Sequence, residues 1–436
     1  MRKRPELKNP GGSAEEEEPK QSERRRKARG RRFIMTEEAY QEKYHRAFVK
    51  IDLSALCDNV KNIRRLVPAQ SRLMAIVKAD GYGHGAVPVA RAFDELSENG
   101  RPVVDAYGVA MVEEGLELRR AGVTKPILVL GHSVPEQAGK AVRSSLSLTV
   151  FDYKLAQALS REAVRQERTA HIHIKLDTGM SRIGYLGTEC DIAEITQIQS
   201  LPGIELEGLF SHFAKSDETD KTAAKEQFEK FRCFSKRLSG AGIRPHIRHI
   251  ANSAAIIDMP ETSLDMVRAG IALYGLYPSE EVDTARLLLR PALEFKSRVS
   301  WVKEIPEGTA VGYGGTFTAE RPMRLATIPV GYADGYPRAL SNCGRVLIGG
   351  RTARIVGRIC MDQFMADVTE LPQVRPGDMV TLAGRDGEDF LPVEEPAGLA
   401  GSFHYEFVCG ITKRVPRIYY KNGVPVSVRT EFPERQ

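Results

Sequence analysis

The segment Leu73-Met-Ala-Ile-Val-Lys-Ala-Asp-Gly-Tyr-Gly-His-Gly85 decides how this chain is read. Five apolar residues suit a strand covered on both faces, and the lysine and three glycines that follow suit a loop at the strand's C-terminal end. Working outward, the same texture repeats. An introductory strand and helix (Phe48 to Asp52, Ser54 to Leu66) precede candidate strands at Leu73 to Lys78, Ala106 to Ala110, Ile127 to Leu130, Leu148 to Phe151, His171 to Leu176, Leu206 to Phe210, His249 to Ala251 and Met266 to Ile271. Amphipathic helices fall between them, among them Val112 to Ala121, Lys154 to Glu167 and Asp220 to Ser239, the last with Phe228, Phe231 and Leu238 on its inward stripe. About eight β/α units in series predict an α/β fold with an N-terminal TIM-like (β/α)8 barrel.

Beyond Pro291 the pattern changes to short Val/Ile-rich strands broken by Gly and Pro: Val299 to Ile305, Arg324 to Val330, Arg345 to Ile348, Thr352 to Val356 and Met379 to Leu382. The expectation is a charged tail over residues 1–46, a barrel over 47–287 and a mainly β C-terminal domain over 288–434. The tail carries Arg2-Lys3-Arg4, Arg24 to Lys27, Arg29, Arg31, Arg32 and Glu15 to Glu18 with few apolar residues, a composition that predicts disorder. Weak RNA or partner binding by the tail, and a true start at Met35, are the alternatives. The net charge of +6 owes much to this segment, so nucleic acid is not expected as a partner.

No apolar run approaches the roughly 20 residues that span a bilayer, and the charged N-terminus does not suit a signal peptide, so a cytoplasmic protein is expected. Six widely separated cysteines form no C-x-x-C pair; they predict reduced thiols rather than a disulfide framework or thiolate zinc site.

Strand C-termini line the mouth of a barrel, so Lys78 emerges where barrel chemistry occurs, and a desolvated lysine there loses its proton and becomes able to condense with an aldehyde. Barrels also hold phosphate in the loops after strands 7 and 8. Here those loops read Ala251-Asn-Ser-Ala254 and Arg268-Ala-Gly-Ile271, where Ser253 offers a hydroxyl and Gly270 allows close backbone approach.

Val77-Lys-Ala-Asp-Gly-Tyr-Gly-His-Gly85 resembles the cofactor-lysine motif of the alanine racemase family, and the similarity runs from about Phe48 to Tyr419. The resemblance implies a barrel followed by a β domain, pyridoxal 5'-phosphate as cofactor on Lys78, and isomerase activity that interconverts L-alanine and D-alanine for peptidoglycan synthesis. It places the phosphate on Tyr82, Ser253, Gly270, Ile271 and Tyr405, and sets Arg268 against the pyridine nitrogen. Because arginine keeps its proton, the ring would be a weaker electron sink, which suits proton exchange at Cα and discourages transamination.

Inverting a stereocentre needs one group on each face of Cα. Lys78 serves one. Tyr313, in Val311-Gly-Tyr-Gly-Gly-Thr-Phe317, resembles the family's catalytic tyrosine, which reaches into the neighbouring subunit; the resemblance therefore implies a homodimer with shared sites. Tyrosine titrates near ~10, so it needs cationic or hydrogen-bonding neighbours, and His212 with Arg268 suit that part by resemblance.

Lys175-Leu-Asp-Thr-Gly-Met-Ser-Arg-Ile-Gly184 resembles the segment whose arginine meets the substrate carboxylate, implying Arg182, while Arg358-Ile-Cys-Met-Asp362 implies Met361 as a backbone donor. Lys175 matches a lysine that is carbamylated in some members, and Ser181 stands where glycine is common. Tyr332 and Tyr405 would limit substrate size; serine-preferring relatives replace the position of Tyr405, so alanine is favoured, with slower serine turnover.

Rival readings are a serine or broad-specificity racemase, a non-catalytic pyridoxal-phosphate-binding protein and a metal-dependent barrel hydrolase. The binding protein would lack the β domain, and a decarboxylase on this barrel would carry a C-terminal cysteine motif not recognised here. His171, His173, His246 and His249 raise the hydrolase, but no H-E-x-x-H or Cys/His spacing accompanies them, so structural histidines and no metal are expected.

Overall fold

Strand β1 (Ala47–Asp52) ends on Asp52, whose carboxylate accepts the N–H groups of Ser54 and Ala55 at 2.8 and 3.1 Å and so caps helix α1 (Leu53–Leu66). This is a computed structural model, and it describes Thr36, Glu37, Ala39, Lys43, Tyr44 and residues 46–432. The expectation of a disordered tail lies outside the described residues apart from those named; of these, Arg46 donates to the carbonyl of Pro329 and to buried Asp334.

Eight strands follow: β2 (Arg72–Ile76), β3 (Ala106–Val109), β4 (Ile127–Val129), β5 (Ser147–Val150), β6 (Ala170–Lys175), β7 (Ile204–Phe210), β8 (Ile247–His249) and β9 (Met266–Ala269). From β2 to β8 each pairs in parallel with the next in sequence, and β9 returns to lie beside β2. The seam between β8 and β9 is closed by Asp265 N–H to Arg248 O (3.2 Å) and Arg268 N–H to Ala251 O (3.0 Å). Outside the barrel run α2 (Ala86–Asp94), α3 (Val112–Arg120), α4 (Ala138–Arg143), α5 (Tyr153–Arg165), α6 (Glu189–Gln199), α7 (Thr222–Gly240) and α8 (Ser253–Asp258). Phe228, Phe231 and Leu238 are buried, as the inward stripe of α7 requires. Several strands stop one or two residues short of the sequence expectation at the mouth, β2 at Ile76 and β9 at Ala269. There the backbone leaves the ladder to form the loops of the site.

The second sheet is built from β10 (Leu293–Arg298), β11 (Trp301–Ile305), β12 (Met323–Ile328), β13 (Arg345–Ile348), β14 (Arg351–Val356), β15 (Phe364–Asp367), β16 (Met379–Asp386) and β17 (Asp389–Leu391). After helices α9 (Glu394–Leu399) and α10 (His404–Gly410) come β18 (Arg417–Lys421) and β19 (Val424–Arg429). The introductory strand belongs here: β1 pairs antiparallel with β10 (Val49 opposite Phe295) and parallel with β18 (Val49 opposite Arg417). Sequence order sets β1 beside the barrel, whereas its alternation is satisfied between two strands hundreds of residues away. The sheet is thereby tied to the barrel at both ends of the chain. All six cysteines are unbridged. Among the described residues no helix is long and apolar enough to cross a membrane, and no cluster of three or more His, Cys, Asp or Glu could hold a metal ion.

Candidate active site

Past Ile76 the chain enters a left-handed turn. Ala79, Asp80, Gly81 and Tyr82 have φ of 51°, 53°, 63° and 52°, and Gly83 follows at 79°. Each non-glycine residue in that region costs on the order of 1 kcal/mol, so neighbours must impose the conformation. They do so from several sides. Glu114 accepts the N–H groups of Ala79 (2.7 Å) and Ala110 (2.6 Å), while Asp80 accepts Ala86 N–H (2.9 Å) and Arg429 Nη1–H (2.5 Å). Buried Arg417 donates to the carbonyl of Gly83 (3.2 Å). At Gly83 a Cβ would stand 2.1 Å from the carbonyl oxygen of Val408, so α10 of the β domain rests directly on the turn. The turn in its turn fixes half-buried Lys78, whose Nζ lies 6.0 Å from the centre of the Tyr82 ring.

Beside the lysine, three loops make a small cradle. Ser253 Oγ accepts Gly270 N–H at 2.8 Å, and a Cβ on Gly270 would meet Tyr82 Oη at 3.1 Å and Ser253 Oγ at 3.6 Å. Ile271 opens a 3-10 turn (Ile271–Tyr274), where its N–H has no partner within the turn. The Tyr82 ring sits 5.0 Å from Tyr274 and 6.1 Å from Tyr405, whose residue comes from α10. Burial raises the Tyr82 and Tyr405 pKa values, so both hydroxyls stay protonated and able to donate.

The floor of the mouth is cationic. Buried Arg268 donates through Nη1 to His249 Nδ1 (2.8 Å) and through Nη2 to His212 Nδ1 (3.0 Å), Ser211 O (2.8 Å) and Ile250 O (3.0 Å). Burial, and then the Arg268 charge, hold His212 well below the usual histidine pKa, so it is neutral with its proton on Nε2. Burial and then Arg182 lower Lys78, and burial and then Arg268 bring Lys175 down to about 7. Lys175 is buried, donates to Leu176 O at 2.7 Å and lies 5.5 Å above the Phe210 ring. Arg182 projects from the loop after β6, where Asp177 takes the N–H groups of Gly179, Met180 and Ser181 (2.9, 3.0 and 3.1 Å). Lys78, Lys175, Arg182 and Arg268 therefore act on one another in a space that favours an anion.

Ten residues singled out by sequence thus meet at the mouth: Lys78, Tyr82, Lys175, Arg182, His212, Ser253, Arg268, Gly270, Ile271 and Tyr405. Tyr313 and Met361 do not join them within the chain. Tyr313 opens a 3-10 turn (Tyr313–Gly315) on a hairpin of the β domain, is 72% exposed, and its side chain has no hydrogen bond or ring contact among the described residues. Met361 is exposed close by: its carbonyl accepts Ala333 N–H (3.0 Å), and Tyr332 N–H donates to Cys360 O (3.1 Å). Gly312 and Gly314 pack on Arg358 of the same segment. Tyr313, Tyr332 and Met361 form a second, outward-facing group.

Sequence reasoning missed Tyr274, which carries no motif yet lies tilted against the Tyr82 ring and donates to Ile76 O (2.9 Å). His173 and His249, expected as structural histidines, are both buried and hydrogen-bonded. His249 supports Arg268, His173 touches His249 (2.9 Å), and His246 is exposed and apart.

The fold and site define a class: a closed parallel barrel joined to a β domain, with an anion-adapted mouth holding a lysine on a strained turn. Residues 51–278 match the family described as alanine racemase, N-terminal domain, and residues 292–419 match alanine racemase, C-terminal domain. Across 372 residues the chain is 47% identical to an alanine racemase of Desulforamulus reducens, covering 85% of this chain and 98% of that one. A second such protein, alanine racemase 2 of Caldanaerobacter subterraneus subsp. tengcongensis, is 47% identical over 383 residues, 87% of this chain and 96% of its own. The solved alanine racemase of Clostridium difficile 630 superposes with a TM-score of 0.83 at 38% identity, covering 88% and 98% of the two chains. The chain belongs to the alanine racemase family.

Proposed function

We propose that this protein is a pyridoxal-5'-phosphate-dependent alanine racemase, acting as a cytoplasmic homodimer that supplies D-alanine for peptidoglycan. One observation carries the reading: a lysine whose charge is disfavoured by burial, a hydroxyl-and-backbone cradle and a buried arginine converge at one barrel mouth. The cradle fits the cofactor because a side chain at Gly270 would fill the space between Tyr82 Oη and Ser253 Oγ. Tyr82, Ser253, Gly270, Ile271 and Tyr405 would hold its phosphate, and Arg268 would face its ring nitrogen. When bound, pyridoxal phosphate supplies an aldehyde that condenses with amines and a conjugated ring that acidifies the substrate Cα–H.

The protein's own groups do the rest. Lys78, its pKa lowered by burial and by Arg182, takes or returns a proton on one face of Cα. Tyr313 of the partner subunit does the same on the other face, and a free, exposed phenol on a hairpin tip suits that reach. Arg268 offers hydrogen bonds without surrendering its proton, which limits how much negative charge the ring withdraws. Arg182 would hold the substrate carboxylate with the Met361 backbone of the partner subunit. An Nζ that titrates near 7 in a buried, cation-rich place supports carbamylation of Lys175: the neutral amine adds carbon dioxide, releases a proton, and the new anion would orient Arg182.

Incubation of the holoenzyme with L-alanine in deuterated water is expected to give solvent deuterium at Cα together with loss of optical rotation. Retention of both the proton and the rotation would reject the proposal. Serine should turn over more slowly, since Tyr405 narrows the pocket.

A further inference from the structure

Arg268 does not end at its contacts in the mouth. Through His249 it stands at the head of a hydrogen-bonded file that crosses the barrel interior to the opposite end. His249 Nε2 lies 2.9 Å from His173 Nδ1, His173 Nε2 lies 3.2 Å from Glu207 Oε2, and Ser147 Oγ donates to the same oxygen at 3.1 Å. His249 and His173 are almost wholly buried. Glu207 is partly exposed to a cavity of about 170 Å³ at the barrel's far end, lined also by Arg72, Asp105 and Ser147.

The file has a direction that chemistry fixes. A guanidinium has no acceptor, so His249 Nδ1 must present a lone pair to Arg268 and carry its proton on Nε2. That proton points at His173 Nδ1, which must in turn be the acceptor, leaving the His173 proton on Nε2 to be donated to the Glu207 carboxylate. Burial and the Arg268 charge keep His249 neutral, and the contact with His173 brings Glu207 down to about 2, so its carboxylate is ionised. The space for this contact is built into the backbone: on β7, a Cβ at Gly208 would fall 2.1 Å from His173 Nδ1. Phe210, two residues on, stacks on His249 at 4.8 Å and 3°, which fixes the ring plane.

We propose that Glu207 and His173 are positioning residues, which anchor from the barrel floor the His249 ring that holds Arg268 in its place at the mouth. The purpose assigned to Arg268 rests on the racemase reading; the tautomers do not. Removing the acceptor at Glu207 leaves the His173 Nε2–H unpaired or, if His173 changes tautomer, sets two N–H groups facing each other between the histidines. Either outcome loosens the His249 ring, because Arg268 still requires the lone pair on its Nδ1.

The test is long-range proton–nitrogen NMR of the intact protein with labelled histidine. In the wild type, His173 and His249 are expected as Nε2–H tautomers, with burial and the Arg268 charge keeping His249 neutral. In Glu207→Leu, His173 should no longer be held in one tautomer and the His249 ring-nitrogen signals, two links away, should shift, with kcat for alanine falling on the order of tenfold while KM moves little. Glu207→Gln keeps an acceptor oxygen and should restore both the tautomers and most of the lost rate. A wild-type His249 protonated on Nδ1 would overturn the proposal without recourse to any variant. So would a Glu207→Leu protein with an unchanged His249 signal and kcat, or a Gln variant as impaired as Leu. If the wild type shows these tautomers but exchanges no Cα proton, the function falls and the file stands.

Discussion

Lys78 and Tyr313 differ in a way that single substitutions can separate. Lys78 is half-buried at the barrel mouth with its charge disfavoured, whereas Tyr313 is solvent-exposed on another domain. Lys78→Ala is expected to abolish the visible absorbance of lysine-bound cofactor and to reduce turnover by at least about 1,000-fold. Tyr313→Phe should keep that absorbance, because the phenol holds no cofactor atom in the proposed site, and still lose most racemisation, about 100-fold or more. A Tyr313→Phe enzyme of normal rate would remove the second base. Ser181 allows a prediction of the opposite sign. It adopts φ 56°, in the left-handed region, while its N–H is held by Asp177. Glycine is at ease there, so Ser181→Gly should stabilise the fold by about 0.5–1 kcal/mol, net of the extra chain entropy glycine brings to the unfolded state. A urea-unfolding midpoint that rises at constant slope is the expected reading; one that falls would show that the Ser181 strain is illusory.

At the scale of elements, the left-handed turn is the structure on which the site stands, and α10 is its support. The two meet where Gly83 faces the carbonyl of Val408 with no room for a methyl group. Gly83→Ala combines an unfavourable φ with that clash and should cost about 3 kcal/mol or more, displacing α10 and with it Tyr405. Gly122→Ala is the control: φ is 91° there but nothing lies within 4 Å of the added carbon, so only the backbone penalty of about 1 kcal/mol applies. Thermal unfolding and titration with pyridoxal phosphate should separate them, with cofactor affinity lost in the first alone. The same elements show what a single sequence can convey. The barrel was legible because eight apolar strands recur at β/α spacing, and the end of a strand is the end of a barrel wall. That is why Lys78, the loops holding Ser253 and Gly270, and Arg268 could be placed at one mouth. The left-handed turn was not legible: nothing in Ala79 or Asp80 dictates a positive φ, which is imposed by Glu114, Arg417 and Arg429 from distant positions. Nor was the membership of β1, since a half-buried alternating strand fits any sheet and its partners are chosen by non-local pairing. For His173 the sequence suggested a structural histidine but not its partner, and the partner is what turns a buried histidine into a link of a file.

The whole molecule presents two incomplete groups. The mouth has an amine, a cradle and cations but no second base, and the β domain shows a phenol, Tyr332 and the Met361 backbone on its exterior with nothing to act on. A twofold dimer that sets the exterior group of each subunit over the mouth of the other would complete two sites at once, as closed symmetry requires. This arrangement predicts complementation between inactive chains. In a dimer of one Lys78→Ala chain and one Tyr313→Phe chain, one site receives both lesions and the other receives none. Random pairing makes half of all dimers mixed, and each mixed dimer has one sound site of two, so an equimolar co-refolded sample should regain roughly a quarter of the wild-type specific activity. Each variant refolded alone should stay near its own background. If Lys78 and Tyr313 instead act within one chain, every site in every dimer carries a lesion, and mixing restores nothing. Dilution supplies the complementary reading: if the sites are shared in a dimer, activity should fall on dissociation, with the isolated subunit still folded around its barrel and inactive, because its own phenol is exposed on the β domain.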